Sequence, residues 1–326
     1  MRAAVLRRSE TRRSSSASAD EVGGVERNPR DAERRIEPRR LLIFREVARA
    51  GSISGAARVI GWTQPAVSQQ LRTLEREVGS RLLLRGSSGV ELTEPGRVLL
   101  ARADAVAGQL HMAGEELAAL TQLRRGTVRL AAYPSAAATL VPRVVAAMLE
   151  RHRDIDVTLT EAEPPEAIGL VHAGDVDVAL VFGYDGLPVT DAGLRWLPLA
   201  EEPVHLVLPP RHRLAERSPI DAVDLADEPW IMGCARCREH AVAVCAAAGF
   251  EPRVRHLSDD YVVVQNLVAV GLGVTLLPHS ALEAYRHPEV VVRPGSTWGT
   301  RTYGVVHRDG ADAVPATAAF LRLVRN

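Results

Sequence analysis

Between Ser52 and Arg85, apolar residues recur at intervals of three and four while the polar residues between them gather on the opposite faces. Ala56, Ala57 and Ile60 give a short helix one apolar side; Ser54 is its expected N-cap, and Gly61 ends it where a tight turn favours positive φ. A second helix starts at once. Thr63 is its expected cap, Gln64 and Pro65 occupy its first turn, and Val67, Leu71, Leu74 and Val78 form its stripe. The other face carries Gln64, Ser68, Gln69 and Arg72, whose amide, hydroxyl and guanidinium groups can read base edges or grip phosphates. The small alanines let the helices cross closely, as a helix-turn-helix requires. After Gly79, residues 82–84 and 90–92 read as strands around Gly86-Ser87-Ser88-Gly89, a hairpin wing bearing Arg85. An ordinary helical hairpin with a solvated polar face would show the same periodicity.

Pro95 opens a long amphipathic run that reaches Leu123 and is closed by Arg124-Arg125-Gly126. Leu99, Ala103, Val106, Leu110, Ala113, Leu117 and Leu120 alternate in steps of four and three, a seam that faces a partner helix. The partner is a second copy or, alternatively, the C-terminal part of the same chain. From Thr127 the pattern changes to short apolar runs at 128–133, 155–160, 176–182, 204–208, 230–232, 254–257 and 274–277. Helical stretches at 136–151, 166–172, 238–248 and 261–271 separate them, which predicts α/β structure with buried, mostly parallel sheets. A strand at 302–307 and a helix at 313–324 return to the first group of elements, giving two lobes joined by two crossings with a cleft between them. The expected divisions are a tail at 1–37, a winged helix-turn-helix at 38–92, a linker helix at 93–123 and a two-lobed domain at 124–326. Lobe one takes 127–203 and 304–326, and lobe two takes 204–303.

Charge sharpens the first segment. Residues 38–90 hold nine arginines (39, 40, 45, 49, 58, 72, 76, 81, 85) and three glutamates (46, 75, 77), a local +6 in a chain of formal net charge zero. Such a concentration is the footprint of a polyanion partner. All forty basic residues are arginine, which forks onto phosphate or guanine where an ammonium does not. With 326 residues, 46% of them apolar, the chain can bury two or three cores; at 4% aromatic content these are built from Val, Leu and Ala. Residues 1–37, with nine arginines and seven acids, offer too little apolar surface to offset ordering entropy. They hold no signal-peptide run, and no stretch of the chain approaches eighteen uninterrupted apolar residues, so a cytoplasmic location without membrane contact is expected.

The residues that carry the clearest likeness are Phe44, Ala48, Gly51-Ser52, Ala56-Ala57, Gln64-Pro65-Ala66-Val67-Ser68, Leu71, Leu74-Glu75, Gly79, Leu82, Arg85, Leu92-Thr93 and Gly96. Over these roughly sixty positions the chain resembles the bacterial LysR-type transcriptional regulators. It departs from them at Leu83, where a wing phenylalanine is usual, at Pro95, where a small residue is usual, and at Ser88, where a second wing arginine is common. Gln69 stands where relatives often carry a longer basic side chain. The resemblance implies DNA contacts from Ser54, Thr63, Gln64, Pro65, Ser68, Gln69, Arg72 and Arg85. It also implies a linker helix that dimerises and an effector domain resembling type 2 periplasmic binding proteins. Carried over residue by residue, its cleft consists of Tyr133, Ser135, Ala136, Gly183, Tyr184, Gly233, Cys234 and Asp260. The implied partners are double-stranded DNA with dyad symmetry, a small-molecule effector, RNA polymerase and further copies of the chain as a homodimer or homotetramer, with no cofactor and no metal.

Cys234, Cys237, His240 and Cys245 form the one cluster that can hide other chemistry. A metal site lacks a second C-x-x-C or a histidine pair. Peroxide-sensing members of the family carry two cysteines in this lobe; Cys245 is in register with one of them and Cys237 is offset by one. Buried structural cysteine is the third reading. An enzyme is disfavoured by the lack of a P-loop, G-x-S-x-G, H-E-x-x-H or glycine-rich phosphate cradle, and a solute-binding module would leave the basic N-terminal segment unexplained.

Overall fold

Two helices and a glycine turn begin the folded chain because Glu37 and Ser52 each supply the acceptor that a helix start needs. The Glu37 carboxylate accepts from the N–H groups of Arg39 and Arg40 and caps α1 (Pro38–Ala50), and the Ser52 hydroxyl accepts from Gly55 and caps α2 (Ile53–Ile60). The structure is a computed structural model that describes residues 36–86, 89–121, 126–184 and 193–325, with 85, 115, 116 and 118–121 as backbone only. The expected tail up to residue 35, Ser88 of the wing and the Arg124-Arg125 helix end lie outside these residues.

Gly61 takes the left-handed conformation (φ 73°), and α3 (Gln64–Val78) follows directly. Its stripe Val67, Leu71 and Leu74 packs with Phe44, Val47, Ala56, Ala57 and Leu82 in one small core. The wing is β1 (Leu83–Gly86) paired antiparallel with β2 (Gly89–Leu92), and it is tied to the α1–α2 turn where Val90 donates to the Gly51 carbonyl at 2.9 Å. Three N-terminal expectations are corrected. The cap of α2 is Ser52, because the helix begins two residues earlier than its apolar spacing suggested; Ser54 is an exposed first-turn residue. Thr63 occupies the cap position of α3 without making a side-chain cap bond. Ser68 is 8% exposed, because it lies three residues from Leu71 on the core side of α3.

The long helix α4 (Glu94–Thr121) serves two intramolecular contacts as well as any partner. Leu99 and Ala103 are buried in the N-terminal core with Val106 against it, so the seam expected to face a partner helix is used at home over its first half. Farther along, Leu110 (57% exposed), Ala113 and Leu117 stay on the surface. Another side of α4 meets the C-terminal domain, where the Arg308 side chain lies beside Gly108, and α4 is also tied to α1, where Asp104 accepts from Arg45 Nε at 2.7 Å.

The C-terminal domain runs β3 (Gly126–Ala132), α5 (Pro134–Arg151), β4 (Ile155–Glu161), α6 (Pro164–Ala173), β5 (Val178–Gly183), β6 (Leu194–Leu208), β7 (Pro229–Met232), α7 (Ala235–Ala247), β8 (Arg253–Leu257), α8 (Tyr261–Ala269), β9 (Thr275–Pro278), α9 (His279–Ala284), β10 (Val291–Pro294), β11 (Thr300–Arg308) and α10 (Pro315–Leu323). The apolar runs sit in strands as expected, but the sheets are mixed. β3 is parallel to β4 and β5, and β7 to β8, whereas β6 and β11 are antiparallel to each other and to their other neighbours. Strand β10, helix α9 and the first ten residues of β6 were not expected from the sequence: α9 and β10 span only six and four residues, and Pro198 and Pro203 interrupt the apolar residues at the start of β6. β6 pairs with β11 as far as Pro203 and with β9 and β10 from Val204 onward, so one strand serves two cores. One core holds Leu130, Val144, Met148, Leu180 and Phe320; the other holds Leu206, Leu225, Trp230, Val274 and Trp298.

Candidate DNA interface and effector cleft

The surface expected to meet DNA is the outer side of α3. Gln64, Pro65, Gln69 and Arg72 are exposed there, and Arg76 and Arg81 continue the same side along an open groove that also includes Thr73 and Ser80. Ser68 faces the core and is removed from the set of exposed groups. The positive charge is smaller than the arginine count implied. Arg40 pairs with Glu77 and donates to Gln70 at 3.1 Å, fixing α1 against α3. Arg45 pairs with Asp104 and donates at 2.7 Å to the Ala173 carbonyl at the end of α6, and Arg49 pairs with Asp175. These three hold the protein together. Arg58, Arg72, Arg76 and Arg81 remain exposed, while Arg39 lies over the Trp62 ring at 4.7 Å. The Arg85 backbone lies in the wing strand.

The second site is a cavity of about 50 Å³ between the two cores. From the β3 side come Tyr133, Ser135, Glu163 and Phe182; from the β7 side come Gly233, Cys234, Cys237, Ser258 and Asp259. Arg301 lies at its floor with 2% exposure. It is the cross-strand partner of Glu202 in the β6–β11 ladder, and its Nε donates to Glu202 Oε1 at 2.7 Å. Its terminal Nη2 donates to the hydroxyls of Ser135 and Ser280, both at 2.9 Å. The guanidinium lies over the rings of Phe182 (4.3 Å) and Tyr133 (4.9 Å), and burial raises the Tyr133 phenol well above its ordinary pKa. Glu163 is unlike these groups: its Oε2 is buried without a hydrogen-bond partner, and burial raises its pKa.

Of the eight residues expected to form the cleft, Tyr133, Ser135, Gly233 and Cys234 line it. The other four do not. Ala136 is buried in the core beneath α5, and Gly183 ends β5 opposite Thr302. Asp260 spends its carboxylate capping α8, accepting from Val262 at 2.7 Å. Tyr184 stands behind the lining, donating to Cys237 Sγ at 3.4 Å and stacking on His240 with centroids 3.9 Å apart. Arg301, Glu202, Ser280 and Glu163 were absent from the sequence expectation. Arginines are scattered through this chain, and a pair separated by 99 positions leaves no local signal.

Cys234, Cys237 and Cys245 are all free thiols. Cys234 is the N-cap of α7, with its Sγ 3.0 Å from that of Cys237. Cys245 is buried among Leu225, Trp230 and Trp298, and burial pushes its thiol up to about 11. Among the described residues no group of three or more His, Cys, Asp or Glu side chains could hold a metal ion.

Residues 38–97 match the family described as "Bacterial regulatory helix-turn-helix protein, lysR family", and residues 121–326 match the "LysR substrate binding domain". The chain is 32% identical over 245 residues to a probable hydrogen peroxide-inducible genes activator of Mycobacterium avium, covering 74% of this chain and 78% of that protein. It is 28% identical over 294 residues to the transcriptional dual regulator GltC of Bacillus subtilis, covering 89% and 96%. In fold it is similar to full-length OxyR of Pseudomonas aeruginosa, with a TM-score of 0.67 at 22% identity over 89% of this chain and 95% of that one. The two family matches follow the two sites from end to end, and the chain belongs to the LysR family of bacterial regulatory helix-turn-helix proteins.

Proposed function

We propose that this DNA-binding transcriptional regulator reads its operator with Gln64 and Gln69 of α3, grips phosphate with Arg72, and is switched by a small polar molecule held in the cleft over Arg301. The observation that carries the second half is Glu163. A carboxylate oxygen buried without a partner is costly unless something supplies the missing bond, so the effector brings a hydroxyl, amine or other donor to it. Arg301 is already balanced by Glu202, which removes any demand for a strongly anionic ligand. At roughly 10–15 Å³ for each water-sized group, the present cavity admits only a few, so a metabolite enters as the lobes separate. A hinge near 203/204 and 303/304 fits the change of pairing partner along β6. The ligand moves the equilibrium to the extent that it binds one lobe arrangement better than the other.

The exposed second half of α4, with Leu110, Ala113 and Leu117, is the surface we assign to a second copy, giving a homodimer or homotetramer on an operator with dyad symmetry. RNA polymerase is the further protein partner of that complex. No helix among the described residues is long and apolar enough to cross a membrane. The DNA-binding domain and the transcriptional regulators among its relatives support a cytoplasmic protein that acts by binding DNA. The test for the cleft is a footprint on selected DNA with cell extract as ligand source, comparing wild type with Ser258→Trp, which fills the rim without touching the buried ion pair. Loss of the extract-dependent change with intact basal binding is expected; an unaltered response overturns the assignment.

A further inference from the structure

Charge on the cleft wall is one-sided. Among the described residues three charged side chains line the cavity: Glu163 from the β3 side, Asp259 from the β7 side and Arg301 at the floor. Arg301 is balanced by Glu202, so the two charges left on the wall are both negative, one from each lobe. Glu161, at the end of β4, adds to the negative potential at Glu163. The fold makes little use of either carboxylate. Glu163 stands at the N-cap position of α6 without making a side-chain cap bond, and its Oε2 is buried without a partner. Asp260 takes the cap of α8, which leaves the exposed Asp259 without that role.

A second polar group in the cavity is also left over. Tyr133 is 2% exposed and lines the cavity with its ring edge-on to Phe182 at 4.8 Å, and its hydroxyl has no hydrogen-bond partner among the described residues. Burial keeps that phenol protonated, so its oxygen is available as an acceptor. Beside these acceptors the wall is aliphatic, with Val264, Leu276, Leu277 and Ala281.

We propose that the effector is a small organic cation, a primary ammonium ion on a short aliphatic stem, held between Glu163 and Asp259 with the Tyr133 hydroxyl as a further acceptor. The proposal rests on the cleft being the control site and assigns the charge of what enters it. Closing the lobes on an empty cleft brings two like charges together and strips water from both, and each effect opposes closure. An ammonium group between them reverses the sign, because both contacts become charge-assisted hydrogen bonds. Such a ligand binds the closed arrangement better than the open one, which is the condition for shifting the equilibrium. The three N–H donors of an ammonium diverge and suit acceptors on both walls, whereas a guanidinium presents its donors in one planar fork. A metal ion fits less well, since no group of three or more His, Cys, Asp or Glu side chains among the described residues could hold one. An anion would meet two carboxylates and an arginine that already has its counter-charge.

Probes that share one four-carbon stem and differ in the end group test the sign directly. Butylammonium, butan-1-ol and butyrate are each titrated into full-length protein at constant pH and ionic strength, and the thermal midpoint is followed. Butylammonium should raise the wild-type midpoint, and the alcohol and the carboxylate should leave it unmoved. Glu163→Gln and Asp259→Asn should each raise the half-saturating butylammonium concentration about ten- to a hundredfold, the effect of losing one hydrogen bond to a charged group. Both variants keep the fold, because Asp259 is exposed and Glu163→Gln removes a charge buried at cost. An equal or larger shift with butyrate or butan-1-ol, no shift with butylammonium, or an undiminished butylammonium response in both variants overturns the proposal. The small-molecule fraction of a cell extract is then split at pH 7 on cation and anion exchangers, and the change in footprint on selected DNA should follow the material that the cation exchanger retains. Activity in the flow-through or on the anion exchanger overturns the cationic class and leaves the cleft assignment standing, because Ser258→Trp is tested with unfractionated extract and reports on the cleft whatever the charge of its ligand.

Discussion

Replacing Arg301 with methionine tests whether the cleft floor is an electrostatic unit. Methionine keeps the apolar stem against Phe182 and Tyr133 but removes the charge facing Glu202 and three hydrogen bonds of 2.7, 2.9 and 2.9 Å. Breaking a buried pair by deleting one partner costs about 3–5 kcal/mol, because the other charge is left uncompensated. Here the lower end applies. Glu202 keeps the Ser280 N–H at 2.6 Å and its hydroxyl at 3.2 Å, and Ser280 keeps Ser135 at 3.0 Å. For a domain of this size a loss of about 3 kcal/mol lowers Tm by roughly 6–12 °C. Thermal unfolding followed by tryptophan fluorescence measures it, since Trp230 and Trp298 are fully buried in the neighbouring core. The double variant Arg301→Met/Glu202→Leu removes both charges and should regain most of the loss. A single variant within about 1 kcal/mol of wild type, or a double variant worse than the single, refutes the reasoning.

Gln64→Ala should lose about 1–3 kcal/mol of discrimination at one base step of each half-site, whereas Arg72→Ala weakens binding to all duplexes and lowers the salt slope by about one; selection of bound sequences at two salt concentrations separates them. Leu110→Asp puts an unpaired charge into an apolar interface at a residue already exposed in the single chain, so the protein should stay folded and become monomeric; dimers persisting in light scattering at micromolar concentration would place the interface elsewhere. Glu163 has a folded pKa raised by burial, so its ionisation destabilises the fold as pH rises from the ordinary carboxylate value through the raised one. Glu163→Gln should therefore match wild type near pH 4 and gain in thermal midpoint toward pH 7; parallel curves would show that the carboxylate is not buried at cost.

The N-terminal helices were legible because their information is local. Val67, Leu71 and Leu74 lie within two turns, and one stripe can only face inward. The same spacing contained the warning about Ser68, three residues before Leu71, which a polar side chain masks. Ser52 and Ser54 are both good caps, and the backbone that joins α1 to α2 selects between them. The heptad seam of α4 announced that an apolar side exists but not what covers it: Leu99 and Ala103 meet their own domain, while Leu110 stays outside. The C-x-x-C was visible as letters, and its pairing depended on α7 starting at Ala235, which makes Cys234 the cap and brings its sulfur to Cys237.

The cleft floor was not legible at all. Arg301 meets Glu202 through an antiparallel register, and Ser135 through a separation of 166 positions, so no window of the chain contains the site. Helix periods and caps are fixed by neighbours a few residues apart. A buried ion pair between β6 and β11 exists only once two distant strands have closed into one sheet, because low dielectric and exact register arise from the assembled core and from no segment of it.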